Sequence, residues 1–334
     1  MSHLLEVKDL HVSFETAAGE VKAVRGVDFY LDRGETLGIV GESGCGKSVT
    51  IQTIMRLNDE PPAKIAGGSI RYNGEELTGK TDKEMRAYRG KEFSMIFQDA
   101  MTSLNPTTKI GKQMREMLRA HENVSQEEAK KRIADMFRLV GLPSPETLYN
   151  RFPHTLSGGQ RQRVMIAMAL ACKPALLFAD EPTTALDVTI QAQILEVMRT
   201  TQREMNMGII FITHNMGVVA RMADRIAVMY AGQIVESGTA KDIFYHPKHP
   251  YTWGLIGSVP KMHGEIPDRL ISIPGTPPDL FAPPKGCGFA ARCSRCMHVC
   301  LNHTPPETEA EGHRVRCWLY DPRCPKQADG KDGE

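Results

Sequence analysis

Long hydrophobic runs are missing from this sequence. No stretch approaches the ~18 consecutive apolar residues that a membrane-spanning helix needs, and the most apolar candidate, residues 164–172, is far shorter. Residues 4–12 alternate apolar with charged or polar side chains, which is typical of a strand and unlike a secretory signal peptide. We therefore expect a cytosolic protein, which a partner has to hold if it works at a membrane.

A surplus of charge of one sign is also missing. Lysine and arginine together number 41, aspartate and glutamate number 40, and the formal net charge is +1. Proteins that bind nucleic acids usually carry clustered basic residues. The composition therefore gives no reason to expect a nucleic-acid partner.

Cysteine is scarce over most of the chain, where Cys45 and Cys172 stand alone. Six more cysteines crowd the C-terminal end, at positions 287, 293, 296, 300, 317 and 324. In a reducing cytosol such a cluster indicates a metal site more often than a disulfide framework.

Apolar strand segments alternate with helical segments from residue 159 onwards. The order predicts an α/β fold with a parallel sheet that helices cover on both faces. The predicted helices are 160–171 and 189–205, and the predicted strands are 175–180, 208–213, 225–230 and 233–236.

Composition divides the chain into a core and an appendage. Residues 1–245 carry the core pattern, and within them residues from about 100 to 165 have the charged, amphipathic character of an inserted helical subdomain. Residues 246–325 are rich in proline and cysteine, which predicts an irregular C-terminal domain. Residues 326–334 are polar and predict a flexible tail.

A phosphate-binding loop is predicted at residues 41–48. The run GESGCGKS fits the pattern G-x-x-x-x-G-K-[ST], and it lies between a predicted strand and a predicted helix. We expect Lys47 to reach the β- and γ-phosphates of a nucleotide and Ser48 to bind Mg²⁺. The alternative is a glycine-rich turn that binds nothing. The predicted nucleotide-binding residues of this loop are Gly41, Ser43, Gly44, Cys45, Gly46, Lys47, Ser48 and Val49.

Two carboxylates, Asp180 and Glu181, end an apolar strand. Ligands bind at the carboxyl edge of a parallel sheet, so both side chains are expected at the nucleotide. Asp180 is predicted to hold Mg²⁺ and Glu181 to act as the general base for an attacking water. The alternative, a helix N-cap, is less favoured because the phosphate loop accompanies the pair.

A second glycine-rich helix start follows at residues 156–160, with the sequence LSGGQ. It can offer a hydroxyl and backbone N–H groups to an anion. Its position between a phosphate loop and an Asp-Glu pair resembles the signature of ABC ATPases. The resemblance implies a P-loop NTPase core of the ABC type that uses ATP. It also implies a head-to-tail dimer, in which each ATP lies between one subunit's phosphate loop and the other's Ser157, Gly158, Gly159 and Gln160.

Four further positions resemble family residues. Gln98 is similar to the glutamine that touches Mg²⁺ and water, His214 to the histidine at the γ-phosphate, and Asp187 to the loop that crosses the dimer interface. Phe14 resembles the aromatic residue that stacks on adenine. Read alone, Phe14 fits an apolar core, and Gln98 and His214 fit ordinary polar loop residues.

The C-terminal segment resembles the ATP-binding subunits of bacterial dipeptide and oligopeptide importers. The resemblance rests on HPYT at 249–252, PGTPP at 274–278 and GCGFAARC at 286–293. It implies peptide import, with nickel or another small solute as the alternative cargo. It also implies a second ABC ATPase subunit, identical or not, two transmembrane permease subunits and, indirectly, an extracytoplasmic substrate-binding protein. The chain is then expected to be peripheral, at the cytoplasmic face of the inner membrane.

The same resemblance implies a [4Fe–4S] cluster on Cys287, Cys293, Cys300 and Cys317. An extra cysteine, Cys296, departs from the family pattern and is an alternative ligand, which leaves open which four of the C-terminal thiolates bind. Four thiolates suit structural zinc equally well, and free thiols are the third alternative.

Two other classes of protein stay open. A soluble ABC-type ATPase acting on DNA or ribosomes is expected to have long coiled-coil insertions or basic arms, which this sequence lacks. A regulatory subunit that binds ATP without hydrolysing it is expected to lack the base or the histidine, whereas Glu181 and His214 are both present.

Overall fold

The computed structural model describes residues 3–98, 103–183, 187–258, 273–310 and 312–324. The predicted flexible tail at 326–334 lies outside these ranges. Within them, no helix combines the length and the apolar character needed to cross a bilayer.

Strands and helices alternate along the described chain. The strands are β1 (Leu5–Thr16), β2 (Gly19–Leu31), β3 (Thr36–Val40), β4 (Ala63–Tyr72), β5 (Glu75–Glu76), β6 (Phe93–Ile96), β7 (Leu176–Asp180), β8 (Gly208–Thr213), β9 (Arg225–Tyr230), β10 (Gln233–Thr239), β11 (Glu307–Ala310) and β12 (His313–Arg316). The α-helices are α1 (Lys47–Ile54), α2 (Asp82–Met85), α3 (Ile110–His121), α4 (Gln126–Leu139), α5 (Pro145–Tyr149), α6 (Gly158–Ala171), α7 (Val188–Met205), α8 (Met216–Met222), α9 (Ala240–Tyr245), α10 (Pro250–Gly257) and α11 (His298–Asn302).

The N-terminal strands form an antiparallel sheet of their own, in the order β2-β1-β4-β5 among the described residues. Along β1, the side chains of Leu5, Val7, Leu10 and Val12 are buried against the core. The sequence indicated strands in this region but did not separate them into a second sheet.

The central sheet has the order β11-β12-β10-β9-β3-β8-β7-β6 in the described part of the chain. Strands β3, β6, β7, β8 and β9 run parallel, as the alternation of strands and helices predicts. Strand β10 runs antiparallel to β9, so the expectation of a wholly parallel sheet is wrong there. The cause is the two-residue turn Ala231-Gly232, where both residues have positive φ, the geometry of a tight hairpin.

Helices α3 to α6 pack on one another and on the central sheet through one apolar cluster. Met114 and Leu118 of α3 and Ile133 and Phe137 of α4 are fully buried in this cluster. The same cluster contains Phe211 of β8, so the helical insertion is fixed to the strands that end at the predicted nucleotide site. Its limits of about 100 and 165 stay a prediction.

The C-terminal segment is more regular than its proline content predicted. Strand β12 pairs with β10, with Glu236 opposite Val315, and β11 pairs with β12. These antiparallel strands extend the central sheet and attach the segment to the core. Prolines are concentrated before residue 285, so they leave residues 307–316 free to form strands.

Candidate functional site: a nucleotide-binding centre

The phosphate loop connects β3 to α1, and its glycines are required by close backbone approaches. A Cβ atom on Gly41 would lie 2.1 Å from the carbonyl oxygen of Met229, and one on Gly46 would lie 2.5 Å from that of Ala23. Both glycines also have positive φ. Since other residues would clash at both positions, the loop is held in one shape against the neighbouring strands.

Lys47 spans this loop from its buried position at the start of α1. Its Nζ donates to the carbonyl oxygens of Gly41 and Glu42, each at 2.8 Å. A buried ammonium held at the mouth of the loop is available to an incoming phosphate without reorganising α1.

The remaining loop residues divide into a tip and a base. Ser43 and Gly44 are exposed at the tip, whereas Ser48 and Val49 are half-buried in the first turn of α1. The Cys45 thiol is buried 3.7 Å from Lys47 Nζ, and burial raises its pKa. A protonated, buried thiol is a packing residue and not a nucleophile.

Asp180, the last residue of β7, fits a magnesium site. Burial raises the pKa of this carboxyl group, and Glu181 adds to the effect, while a hydrogen bond from Ser48 and the charge of Lys47 act in the opposite direction. Its Oδ1 atom is buried and has no hydrogen-bond partner within the described residues. An unpaired carboxylate oxygen beside a hydroxyl is a donor set that Mg²⁺ accepts.

Glu181 lies between two of the predicted site residues. Gln98 Nε2 donates to Oε2 of Glu181 at 3.2 Å, and His214 Nδ1 lies 2.9 Å from Oε1. The parallel register explains the meeting, because β6, β7 and β8 are neighbouring strands that end at the same edge of the sheet. Glu181 itself has φ +46°, a strained conformation for a residue with a side chain.

The LSGGQ segment begins helix α6 on the surface. Ser157 Oγ accepts from the N–H of Gln160 at 3.3 Å, and the N–H of Ser157 donates to Gln160 Oε1 at 3.2 Å. Ser157 and Gly158 are exposed, and Gly159 and Gln160 are half-exposed. The helix start is therefore capped and faces outward, accessible to a second molecule.

Asp187 and Phe14 have roles within the chain as well. Asp187 is exposed and caps helix α7, where its Oδ1 accepts from the N–H of Ile190 at 2.9 Å. Phe14 is half-buried against the core of the antiparallel sheet. Their predicted roles at the dimer interface and at adenine stay predictions.

The C-terminal thiols lie near one another. The charges of Cys287, Cys293 and Cys300 act on Cys317, and burial followed by these neighbours raises the pKa of Cys317 to about 12. Cys296 is exposed. Burial raises the pKa of Cys287 and of Cys293, and the charge of Cys296 adds to both increases. Within the described residues, no group of three or more histidine, cysteine, aspartate or glutamate side chains is arranged to hold a metal ion. The thiol donor chemistry therefore fits a thiolate-bound metal group, but the side-chain positions do not form a shell around a single ion.

Sequence reasoning missed a contact between the C-terminal segment and the phosphate loop. Tyr251 Oη accepts from the N–H of Glu42 at 2.8 Å, and Arg292 donates to both carboxylate oxygens of Glu42. Tyr251 and Arg292 belong to two of the three runs that carry the importer resemblance, but spacing alone gives no signal that they meet Glu42.

Comparisons with known proteins agree with this geometry. The model of the family described as "ABC transporter" matches residues 24–184, and that described as "Oligopeptide/dipeptide transporter, C-terminal region" matches residues 235–300. The oligopeptide transport ATP-binding protein OppD of Bacillus subtilis is 58% identical over 98% of this chain and 91% of its own length. The dipeptide transport ATP-binding protein DppD of the same organism is 54% identical over 97% of each chain.

Solved structures of ABC cassettes share the fold. The chain matches the dimeric structure of MJ0796, a bacterial ABC transporter cassette, with a TM-score of 0.64 and 27% identity over 71% of this chain and 98% of that one. It also matches cbiO1 from Clostridium perfringens, with a TM-score of 0.62 and 25% identity over 74% of this chain and 92% of that one. With such relatives over nearly its whole length, this chain belongs to the ATP-binding subunits of the ABC transporter family.

Proposed function

We propose that this chain hydrolyses ATP to power the import of oligopeptides or dipeptides across the cytoplasmic membrane. The observation that carries the proposal is the position of Glu181, held by Gln98 and His214 at the sheet edge where the phosphate loop begins. The cargo is supported by similarity to oligopeptide and dipeptide transport proteins along the whole chain and by the match of residues 235–300 to their C-terminal region.

The residues support a direct attack of water on the γ-phosphate. Lys47 binds the β- and γ-phosphates, and Asp180 and Ser48 hold Mg²⁺, which neutralises phosphate charge when bound. Glu181 accepts a proton from the attacking water, while Gln98 and His214 keep its carboxylate in one orientation. Hydrolysis of this kind depends on positioning and charge stabilisation more than on covalent chemistry.

The exposed helix start at Ser157 supports a head-to-tail dimer. It offers N–H groups outward, where a second ATPase subunit can present its bound ATP. The partner is a copy of this chain or a homologous subunit. Two permease subunits hold the pair at the cytoplasmic face of the inner membrane, and an extracytoplasmic binding protein delivers substrate to them. In this arrangement residues 1–245 form the nucleotide-binding domain and residues 246–325 the C-terminal domain.

The C-terminal domain is proposed to hold a [4Fe–4S] cluster on Cys287, Cys293, Cys300 and Cys317. The support is the thiol chemistry and the electrostatic influence of Cys287, Cys293 and Cys300 on Cys317. Such a group would stabilise a segment with a small core of its own.

Elemental analysis of anaerobically purified protein tests the cluster. The parent protein is expected to contain iron and sulfide. Cys317→Ser is expected to lose both, and Cys324→Ser is expected to keep them. If Cys296→Ser retains iron and sulfide, the four named ligands are supported. If it loses them, Cys296 is a ligand in place of one of the four. Zinc in place of iron, or no metal, overturns the proposal of an iron–sulfur cluster.

Reconstitution with the permease genes tests the function. Membrane vesicles that contain the permeases and this chain are expected to hydrolyse ATP faster when peptide and its binding protein are added, and Glu181→Gln is expected to abolish the response. Stimulation by nickel alone assigns the alternative cargo. Hydrolysis without any association with permeases contradicts a role in transport.

A further inference from the structure

The side chain and the backbone N–H of Glu42, the second residue of the phosphate loop, are held by the C-terminal segment. Two N–H groups of Arg292 donate to its carboxylate at 2.7 and 3.0 Å. Its backbone N–H donates to Tyr251 Oη at 2.8 Å. Both the side chain and the backbone of Glu42 are therefore fixed by residues more than 200 positions later in the chain.

The groups that hold Glu42 are buried and make further contacts of their own. The Arg292 side chain is 5% exposed, and it also donates to the carbonyl oxygen of Pro274 at 2.8 Å and to Tyr230 Oη at 3.2 Å. Tyr251 is fully buried, with its ring 4.6 Å from that of Tyr230. The ion pair between Arg292 and Glu42 is therefore not a mobile surface salt bridge, and removing one partner leaves the charge of the other uncompensated.

A free carboxylate at this point would oppose ATP binding. Glu42 lies in the loop predicted to cradle the triphosphate, and its carbonyl oxygen helps to hold Lys47 Nζ. An unpaired negative charge there repels phosphate, and a displaced loop misplaces Lys47. Arg292 counters the first effect, and Tyr251 counters the second.

We propose that Arg292 and Tyr251 are positioning residues of the ATP site, through which the C-terminal segment neutralises and fixes the phosphate loop. The segment is then a component of nucleotide binding and not only an attachment to the core. This inference rests on the proposed ATP site and does not depend on the cargo or on the permeases.

Kinetics of Arg292→Gln test the electrostatic part. The KM for ATP is expected to rise about tenfold while kcat changes less than about twofold, because binding is weakened and the hydrolytic residues are untouched. The difference from the parent is expected to shrink as KCl is raised, since salt screens the repulsion. Arg314→Gln is the matched control, because it removes an arginine that pairs with Glu309 in the same segment; its KM is expected to equal that of the parent.

A rescue experiment separates charge from general folding. In the Glu42→Gln background, adding Arg292→Gln is expected to change KM less than threefold, because no carboxylate is left to neutralise. Arg292→Lys is expected to fall between the parent and Arg292→Gln, since it keeps the charge but not the two-pronged contact.

Tyr251→Phe tests the backbone contact in a variant that keeps the packed ring. Its KM is expected to rise about threefold through loss of one hydrogen bond, and this measurement stands even if Arg292→Gln does not fold. An unchanged KM in both variants overturns the proposal. So does a raised KM in Arg292→Gln that neither KCl nor the Glu42→Gln background reduces.

Discussion

Glu181 is held on both carboxylate oxygens by side chains from neighbouring strands, Gln98 on one side and His214 on the other. Asp180, one position earlier, is buried, and its Oδ1 atom has no hydrogen-bond partner in the described part of the chain. Strand β7 ends at Asp180, and the next residue, Glu181, has left-handed backbone. This change of backbone at the strand end separates the proposed magnesium ligand, Asp180, from the proposed general base, Glu181.

The variant Glu181→Gln tests whether Glu181 is the general base. The amide keeps the size of Glu181 and one acceptor oxygen but cannot accept a proton from water, so ATP binding is expected to persist while kcat falls by about 10²–10⁴-fold. The measurements are nucleotide binding by fluorescence and phosphate release. A variant that hydrolyses ATP at the parental rate shows that another residue is the base.

The buried residue His249 makes the free energy of unfolding depend on pH in the acidic range. Burial lowers its pKa from 6.5 to about 4. The unfolded chain therefore takes up this proton first, and the free energy of unfolding falls as pH drops from about 6.5 towards 4, by at most about 1.4 kcal/mol per pH unit. Glu236 has an effect of the same sign. Burial raises its pKa, but hydrogen bonds, among them the one with His313, lower the pKa by more. The stability that Glu236 contributes is therefore lost as pH falls through this lowered pKa.

Denaturant titrations at pH 7 and pH 5 measure this effect. His249→Gln is expected to lose less stability between the two pH values than the parent, whatever its stability at pH 7. The exposed His246 is the control, and His246→Gln is expected to follow the parent. Equal pH dependence in His249→Gln and the parent contradicts the assignment to His249.

At the scale of elements, helix starts supply both the phosphate loop and the LSGGQ segment. Helix α6 has a reciprocal cap between Ser157 and Gln160, and helix α4 has a similar cap in which Ser125 accepts from the N–H of Glu128 at 3.1 Å. The two serines do the same local work. Only Ser157 belongs to the proposed second half of an ATP site.

Ser157→Ala and Ser125→Ala form a matched pair. Each is expected to lower the free energy of unfolding by about 1 kcal/mol through loss of an N-cap. ATPase activity at saturating ATP is expected to fall at least about tenfold in Ser157→Ala alone, because only its hydroxyl faces the second subunit's phosphate. Equal activities in the two variants contradict a catalytic role for this helix start.

For the whole molecule, the proposed dimer makes each active centre composite. The phosphate loop lies at the sheet edge while the LSGGQ segment faces solvent. A single chain then has half of each of two sites. The C-terminal segment contacts the rest of the chain at two places: β12 pairs with the central sheet, and Arg292 donates to Glu42 of the phosphate loop.

Mixing two inactive variants tests this arrangement. Lys47→Ala damages the phosphate loop, and Ser157→Arg damages the LSGGQ segment, so each variant alone is expected to be inactive. Their mixed dimer contains one site built from two intact halves, and about a quarter of parental ATPase activity is expected from a random 1:1 mixture. The Lys47→Ala/Ser157→Arg double variant mixed with Lys47→Ala has no intact site and is the control. Activity no higher than this control contradicts a head-to-tail dimer.

The chemical groups of the proposed site are recognisable from local patterns in the amino-acid sequence. A phosphate loop, an Asp-Glu pair and a glycine-rich helix start are local patterns, each readable within a few residues, and their order indicated the family. Strands such as β8 were predicted residue for residue because continuous apolar runs are buried on both sheet faces.

Contacts between distant residues, in contrast, become visible only once the chain is folded. The reversal of β10 depends on backbone angles in a two-residue turn. The hydrogen bonds that Tyr251 and Arg292 make with Glu42 depend on the strand pairing that attaches the C-terminal segment to the core. Contacts between residues far apart in sequence leave no local pattern, since they arise from the joint packing of elements that each fold for their own reasons.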